Sequence, residues 1–204
     1  MKQARHAAPG RRKGKKGKVF LGLLLFVAVA AVALYCAKDT LLRQFYPLSY
    51  YEIVMEQSEK NDLDPTLVYG IIRAESSFDA KAVSRADARG LMQMTPQTFE
   101  WVQTMIPDSE NLTVDDLFDP KVNIQFGCEL LSLLISHYGN ESTAICAYNA
   151  GMGNVTSWLE NPEYSSDGVT LDVIPIGETR EYLKRVTQNR EMYRDLYPDE
   201  FANK

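Results

Sequence analysis

Apolar side chains recur along residues 49–196 at the spacing of α-helices, and three dipeptides mark where helices begin. Asp64-Pro65, Thr95-Pro96 and Asp119-Pro120 each place an N-cap residue before a proline at the first helical position. The pattern predicts helices over Ser49–Glu59, Pro65–Ser76, Pro96–Met105, Pro120–Tyr138, Ser142–Ala150, Asn154–Leu159 and Glu178–Leu196. Only Val169–Ile174 alternates in the manner of a strand, and weakly, so we expect an all-α fold.

The segments between these helices differ in character. The helix over 120–138 is apolar nearly all round and is expected at the centre of a compact domain. Residues 78–90 are polar without a clear period and predict an ordered loop, whereas residues 106–119 are rich in Pro, Asp and Asn and predict an irregular segment. Residues 160–177 form a long loop, and a long loop inside a compact domain is often functional.

A run of 19 uncharged residues, Val19–Ala37, precedes this domain. At about 1.5 Å per residue, a helix of that length is close to the ~30 Å of a bilayer core. We therefore predict a transmembrane helix over 19–37, after a basic tail over 1–18 and before a connector over 38–47 and a globular domain over 48–204. A cleaved signal peptide is the alternative, but the run exceeds the ~7–15 apolar residues of such a peptide and no clear A-x-A site follows. Lipid attachment at Cys36 is disfavoured because bulky Tyr35 precedes it.

Charge is distributed unevenly between the two ends. Residues 1–18 hold eight of the 22 basic residues and no acidic residue, whereas residues 38–204 hold the other 14 and all 27 acidic residues. The positive-inside rule therefore predicts a single-pass protein of the cell membrane with a cytoplasmic N-terminus and residues 39–204 outside. The acidic globular part argues against nucleic acid as its main partner.

The cysteines and histidines do not indicate a metal site. Cys128 and Cys146 lie in apolar helical patterns; outside the cell they could pair, although buried free thiols are the simpler interpretation. The two histidines are His6 and His137, and no spacing suggests zinc or a calcium loop.

Glu75 is the residue whose position most clearly indicates chemistry. It lies seven residues after Val68 and four after Ile71, so its carboxylate continues the buried stripe of its helix. Burial and the negative end of the helix dipole should both raise its pKa, as a general acid acting on a glycosidic oxygen requires. The alternative is a structural glutamate paired with Arg85 or Arg89; Arg73, on another side of the helix, is a poor partner.

Three further segments carry polar groups suited to binding a sugar. Within residues 89–96, Gly90 permits a left-handed backbone, and Gln93 offers both a donor and an acceptor. Tyr148 closes a helix and could stack on a sugar or form a hydrogen bond near the acid. Glu178 opens the last helix, where the dipole favours its ionised form. Taken singly, these features are equally typical of packing residues and helix termini.

Together the segments resemble one family. In order and spacing they are similar to the soluble-lytic-transglycosylase catalytic domain, a helical, lysozyme-like fold of the goose-type lysozyme group. The resemblance covers roughly residues 48–196, and four motifs in register are highly specific. The motifs are Glu75-Ser76-Ser77-Phe78, Gly90-Leu91-Met92-Gln93, Ala147-Tyr148-Asn149-Ala150-Gly151 and Glu178-Thr179-Arg180-x-Tyr182, where x is any residue.

The resemblance implies a role for individual residues. Glu75 corresponds to the family's single catalytic glutamate, and Ser84 to a serine that forms a hydrogen bond near that acid. The resemblance also implies residues that hold the sugar, orient the acid or shape the site, namely Gln93, Tyr148, Asn149, Glu178 and Tyr182. The chain departs from the family where Thr95 replaces a methionine of some members, and where Cys128 and Cys146 stand at positions often held by small residues.

The implied reaction cleaves the β-1,4 bond between N-acetylmuramic acid and N-acetylglucosamine in peptidoglycan. Glu75 would protonate the leaving oxygen and then, ionised, deprotonate the 6-hydroxyl that attacks C1, which gives a 1,6-anhydro ring without water. This differs from the paired carboxylates of most glycosidases. No cofactor or metal is implied, and the expected partners are the glycan strands and, through residues 19–37, the membrane.

Two other functions remain open from the sequence. A true hydrolase on the same scaffold would need a carboxylate that activates water, for which Asp79, Asp87 and Glu178 are candidates. A non-enzymatic wall-binding module is the second alternative, and an intact Glu75 argues against it.

Overall fold

The computed structural model describes residues 14–202, and within that range it is helical without an extended strand. Its helices are α1 Gly14–Phe45, α2 Tyr51–Lys60, α3 Pro65–Glu75, α4 Pro96–Gln103, α5 Pro120–Tyr138, α6 Glu141–Ala150, α7 Met152–Leu159, α8 Gly177–Leu196 and α9 Pro198–Phe201. A short 3-10 helix, Val114–Phe118, lies within the segment predicted to be irregular. The all-α prediction is confirmed.

The predicted helix starts agree with the capping that the structure shows. Asp64, Thr95 and Asp119 each accept a hydrogen bond from a backbone N–H in the first turn of α3, α4 and α5. Gly139 ends α5 in the left-handed conformation, with φ of 63°. Residues 169–174, whose alternation was weak, belong to an irregular loop in which Leu171 and Ile174 pack against the core.

Helix α1 is a unit of its own, and residues 46–202 form the second unit. Within α1, Gly17–Tyr35 is long and apolar enough to cross a membrane, with a mean hydropathy of 2.4 and no buried side chain. The predicted connector over 38–47 begins as helix, because residues 38–45 contain good helix formers and neither Gly nor Pro until Pro47. Most of the predicted basic tail and the side chain of Cys36 lie outside the described residues.

The globular unit is organised around α5. Phe126 of α5 stacks on Phe99 of α4, with ring centroids 4.6 Å apart. Cys128 and Cys146 are buried free thiols, which agrees with the simpler of the two interpretations. Burial raises the pKa of the Cys146 thiol to about 11, so the thiol stays protonated and unreactive at neutral pH.

Helices α3 and α8 pack closely, and this contact sets the geometry of the site described below. A Cβ added at Gly70 would lie 2.9 Å from the carbonyl oxygen of Val186, so glycine is what lets the two backbones approach. Farther along the same contact, Tyr69 stacks on Tyr193 at 4.8 Å. The side chain of Asp64 joins the helices by accepting from the guanidinium groups of Arg190 and Arg194, at 2.8 and 2.7 Å.

Candidate active site

Glu75 is the last residue of α3, and its side chain is half-buried at the end of the apolar stripe formed by Val68, Ile71 and Ile72. Its Oε1 accepts a hydrogen bond of 2.7 Å from the hydroxyl of Tyr182 on α8. Burial raises the pKa of the Glu75 carboxyl to about 7, although the Tyr182 hydrogen bond and the positive charge of Arg185 partly oppose the shift. A carboxyl group with this pKa exchanges a proton readily near neutral pH.

The alternative interpretation, in which Glu75 is a purely structural residue, required a salt bridge to an arginine. Across the described residues, no ion pair joins Glu75 to an arginine. Arg89 instead pairs with Asp87 and Asp115, at 3.0 and 2.7 Å. The guanidinium of Arg73 lies over the ring of Tyr46, at 5.4 Å. The carboxyl group is therefore kept without a charged partner in contact, which is costly for a purely structural residue.

The raised pKa of Glu75 predicts that the residue destabilises the fold at alkaline pH. Because the pKa in the folded state is higher than the ordinary 4.5, the favourable contribution is complete below pH 4.5 and is lost as pH rises through about 7. Glu75→Gln removes this titration. As pH rises from 4 to 8, we therefore expect the free energy of unfolding of the variant to increase relative to that of the wild type by up to about 3 kcal/mol. Urea unfolding of both proteins at the two pH values measures this difference. A difference that does not change with pH would show that folding does not raise the pKa of Glu75.

Tyr182 holds the carboxyl group in place from α8. The tyrosine is 1% exposed, and burial, reinforced by the nearby charge of Glu75, keeps the pKa of its hydroxyl well above the usual range. The hydroxyl therefore stays protonated and remains a donor to Glu75. The guanidinium of Arg185 lies over the ring of Tyr182, 5.8 Å from its centroid.

The chain turns sharply after Glu75, and a serine ties this turn to the next motif. Ser77 and Phe78 both have positive φ, at 52° and 69°, which is uncommon for residues other than glycine. Before them, the Ser76 hydroxyl donates to the carbonyl oxygen of Leu91 at 2.8 Å. The end of α3 and the loop of residues 89–94 are thereby held together.

The fully buried side chain of Asn123, on α5, supports the loop of residues 89–94. Asn123 Oδ1 accepts from the backbone N–H of Met92 at 2.7 Å, and its Nδ2 donates to the carbonyl oxygens of Arg89 and Leu117, each at 2.9 Å. Gly90 has a φ of 76°, and a side chain there would overlap Asn123 and the Leu117 carbonyl. The position therefore needs glycine both for its backbone conformation and for space.

Gln93 belongs to the loop of residues 89–94, and Tyr148 contacts this loop from α6. Gln93 also has positive φ, 50°. Its amide nitrogen donates to the carbonyl oxygen of Gly90 within the loop, at 2.9 Å, and to that of Ala82 before the loop, at 3.2 Å. The Tyr148 hydroxyl donates to the carbonyl oxygen of Met92 at 2.9 Å. The pKa of Tyr148 is raised by burial and by the charge of Glu75, so the two side chains are electrostatic neighbours.

The remaining predicted residues differ in their burial and in their contacts. Asn149 is half-buried in the last turn of α6, beside Tyr148. Glu178 is exposed in the first turn of α8, one turn before Tyr182 and on the same face. Ser84 is exposed, and its hydroxyl accepts from the backbone N–H groups of Ala86 and Ala88, each at 3.1 Å. Ser84 thus closes its own turn and, among the described residues, forms no hydrogen bond to Glu75.

Several residues of this arrangement were not predicted from the sequence. Asn123 could have been noticed as a polar residue in a helix that is otherwise apolar all round. The roles of Ser76 and Arg185 depend on contacts with distant parts of the chain, for which the sequence carries no local signal. The same holds for a cavity of about 270 Å³ beside Tyr148, whose lining includes Trp101 and Met152.

Comparison with known proteins shows the family to which the chain belongs. The family described as transglycosylase SLT domain matches residues 52–168, which is more than half of the chain. This chain belongs to the transglycosylase SLT family. The match includes Glu75, the loop of residues 89–94 and Tyr148, whereas Tyr182 lies beyond its end.

Relatives of known name support the membership. The chain is 32% identical over 155 residues to the soluble lytic murein transglycosylase of Salmonella typhimurium, which covers 75% of this chain and 24% of that protein. It is 31% identical to the membrane-bound lytic murein transglycosylase C of Pectobacterium atrosepticum, over 71% of this chain and 46% of that protein. The chain therefore spans about a quarter of the soluble relative and less than half of the membrane-bound one.

Solved structures show the same fold. The crystal structure of the 70 kDa soluble lytic transglycosylase of Escherichia coli superposes with a TM-score of 0.68 at 28% identity, over 78% of this chain and 26% of that one. The lytic transglycosylase Slt of Pseudomonas aeruginosa, in an inactive mutant form, gives a TM-score of 0.66 at 30% identity. The expectation of a lysozyme-like helical domain of this family is confirmed.

Proposed function

We propose that this protein is a lytic transglycosylase that cleaves the β-1,4 bond between N-acetylmuramic acid and N-acetylglucosamine in peptidoglycan. The observation that carries the proposal is the Glu75 carboxyl group, which has a pKa of about 7 and accepts from Tyr182 without an ion pair to an arginine. Membership of the transglycosylase SLT family supports the substrate class. The names of the soluble and membrane-bound relatives support the same reaction.

Glu75 serves as acid and then as base in the proposed mechanism. Its protonated carboxyl group donates to the glycosidic oxygen as the bond from that oxygen to C1 breaks, and the N-acetyl group of the substrate stabilises the charge on the sugar. The resulting carboxylate takes the proton of the 6-hydroxyl while O6 bonds to C1. The proton returns to Glu75, so the cycle closes with a 1,6-anhydro ring and no water consumed.

The surrounding residues position the acid and the sugar. Tyr182 fixes one carboxyl oxygen by its hydrogen bond, which leaves the second oxygen to exchange the proton. Tyr148 presents its ring beside Met92, where a sugar can stack. The nitrogen of the Gln93 amide donates to two backbone carbonyls, so the side-chain oxygen is the atom offered to a sugar hydroxyl.

A true hydrolase is the second candidate, because it uses the same acid. Of the three carboxylates named for activating water, Asp79 accepts from the backbone N–H of Lys81 at 2.9 Å, and Asp87 pairs with Arg89. Glu178, on the face of α8 that carries Tyr182, is therefore the remaining candidate. A wall-binding module without activity gains no specific support from these contacts.

Helix α1 suggests where the protein acts. Its apolar span Gly17–Tyr35 and the membrane-bound relatives suggest association with a membrane. We propose that α1 crosses the membrane once, with the N-terminus in the cytoplasm and the globular unit outside, because eight basic residues precede the apolar run. In that orientation the catalytic unit reaches the cell wall.

The mass of the released products distinguishes the candidate functions. The full chain, purified in detergent, is incubated with peptidoglycan, and the muropeptides are weighed by mass spectrometry. We expect fragments one water lighter than reducing-end fragments, because the 1,6-anhydro ring forms internally. Reducing ends from the wild type would instead establish a hydrolase. Binding to the wall without release would contradict both enzymatic functions.

A further inference from the structure

Arg185 is a basic residue of α8 that the proposed mechanism does not use. Its guanidinium lies over the ring of Tyr182, 5.8 Å from the centroid, and the hydroxyl of that ring donates to Oε1 of Glu75 at 2.7 Å. Within residues 14–202, which the structure describes, Arg185 has no carboxylate partner, and the neighbouring Glu181 pairs with Lys184 at 4.0 Å. An arginine without an ion pair is therefore connected to the acid through one aromatic ring and one hydrogen bond.

We propose that Arg185 is a positioning residue that sets the balance between the acid and base forms of Glu75, acting through Tyr182 and through space. The proposal rests on the proposed function, in which one carboxyl group donates a proton and then takes one back. A nearby positive charge favours the carboxylate over the carboxyl form. Arg185 therefore makes Glu75 a stronger acid in the first step and stabilises the carboxylate that this step leaves behind.

Burial and Arg185 act on Glu75 in opposite directions. Burial raises the pKa of the carboxyl group to about 7, while the hydrogen bond from Tyr182 and the charge of Arg185 keep it from rising further. A higher pKa would make the group a weaker acid, whereas a lower one would leave it ionised at neutral pH. The arginine thus holds a buried acid in the range where both of its forms are accessible during the reaction.

The other titratable groups on the elements around Glu75 belong to α6, α8 and the loop of residues 89–94, namely Tyr148, Tyr182, Glu178 and Arg89. Burial keeps the pKa of both tyrosines well above the usual range, so they carry no charge at neutral pH. Arg89 is paired with two aspartates, and Glu178 is exposed to solvent in the first turn of α8. Arg185 is the residue on these elements whose positive charge lowers the pKa of Glu75.

The pH dependence of cleavage by the full chain separates this role from a structural one. In Arg185→Gln the midpoint at which kcat/KM falls should rise by about 0.5 pH unit, because the carboxylate loses a favourable charge. At pH 5 kcat/KM should fall by up to about threefold, since the acid is weaker, but at pH 8 it should equal or exceed that of the wild type, since more of the variant is protonated. Equal losses at both pH values, or a rise in KM with an unchanged midpoint, would overturn the proposal.

Two further variants and the salt concentration show whether the charge itself is responsible. Arg185→Lys keeps the charge and should keep the midpoint close to that of the wild type. Lys184→Gln is the matched control, because it removes an exposed charge at the next position of α8 and should leave the midpoint unchanged. In 1 M salt, where the screening length falls to about 3 Å, the difference between the wild type and Arg185→Gln should shrink. An equal rise of the midpoint in Lys184→Gln would contradict a specific role of Arg185.

A measurement on Glu75 itself separates this proposal from the proposed function. Carbon-13 NMR of the full chain with labelled glutamate carboxyl groups follows the protonation of Glu75, whose signal is the one missing from Glu75→Gln. We expect the pKa of Glu75 to be higher by about 0.5 in Arg185→Gln than in the wild type. An unchanged pKa would overturn the proposal even if the products carry the 1,6-anhydro ring. A higher pKa together with reducing-end products would support the role of Arg185 and reject the transglycosylase reaction alone.

Discussion

Glu75→Gln should lower kcat on peptidoglycan by at least about 10³-fold, because one side chain supplies both the acid and the base of the proposed reaction. Glutamine keeps the size of the side chain and can still accept from Tyr182, but it cannot give up or take a proton. The initial rate of muropeptide release measures the loss. The same variant should fold, since it removes a buried acid whose pKa is raised to about 7.

The pH profile of the wild type provides a second signature of the same residue. Glu75 must be protonated to donate to the leaving oxygen, so kcat/KM should fall as pH rises through about 7. Glu181→Gln is the matched control, because Glu181 is an exposed acid on α8 next to Tyr182. Full activity of Glu75→Gln, or an unchanged profile across pH 7, would remove Glu75 from the catalytic role.

Asn123→Ala should destabilise the globular unit by about 3–5 kcal/mol, the largest effect expected outside the acid itself. The substitution leaves the Met92 N–H and the Arg89 and Leu117 carbonyls without their partner at a fully buried position. It also opens a cavity beneath the loop of residues 89–94. The free energy of unfolding in urea measures the loss, and kcat should fall because the loop forms one wall of the site.

Two comparisons make the Asn123 result specific. Asn154→Ala removes an exposed side chain that donates to the Ala150 carbonyl at 2.8 Å, and it should cost less than about 0.5 kcal/mol. Asn123→Asp keeps the acceptor for Met92 but places a buried carboxylate oxygen against the carbonyl oxygens of Arg89 and Leu117, so its stability should be no higher than that of the alanine variant. A loss equal to that of Asn154→Ala would mean that the loop is supported elsewhere.

The helices and their starts were predictable because their causes are local. An N-cap side chain, a proline at the first helical position and a glycine at the end act within one turn of the chain. The same local logic placed Glu75 on the apolar stripe of α3. It did not indicate that residues 38–45, assigned to the connector, continue α1 as a helix, although the chain has no helix breaker before Pro47.

The residues that support the site depend on contacts across the fold. Tyr182 meets Glu75 over 107 positions of sequence, and Tyr148 reaches Met92 over 56. Ser84, which the resemblance places near the acid, accepts hydrogen bonds from two backbone N–H groups of its own turn. A motif specifies which side chains are present, whereas the packing decides which partner each one meets.

The sequence by itself determined the helical elements, the apolar span at the N-terminus and the position of the acid, because periodicity, capping and charge act within a few residues. The tertiary structure alone decided the partner of Glu75, the support of the loop by Asn123 and the cavity beside Trp101. These features depend on how closely α3 and α8 approach at Gly70 and on how α4 and α5 pack. Such distances follow from the shapes of many side chains together, which local sequence patterns do not encode.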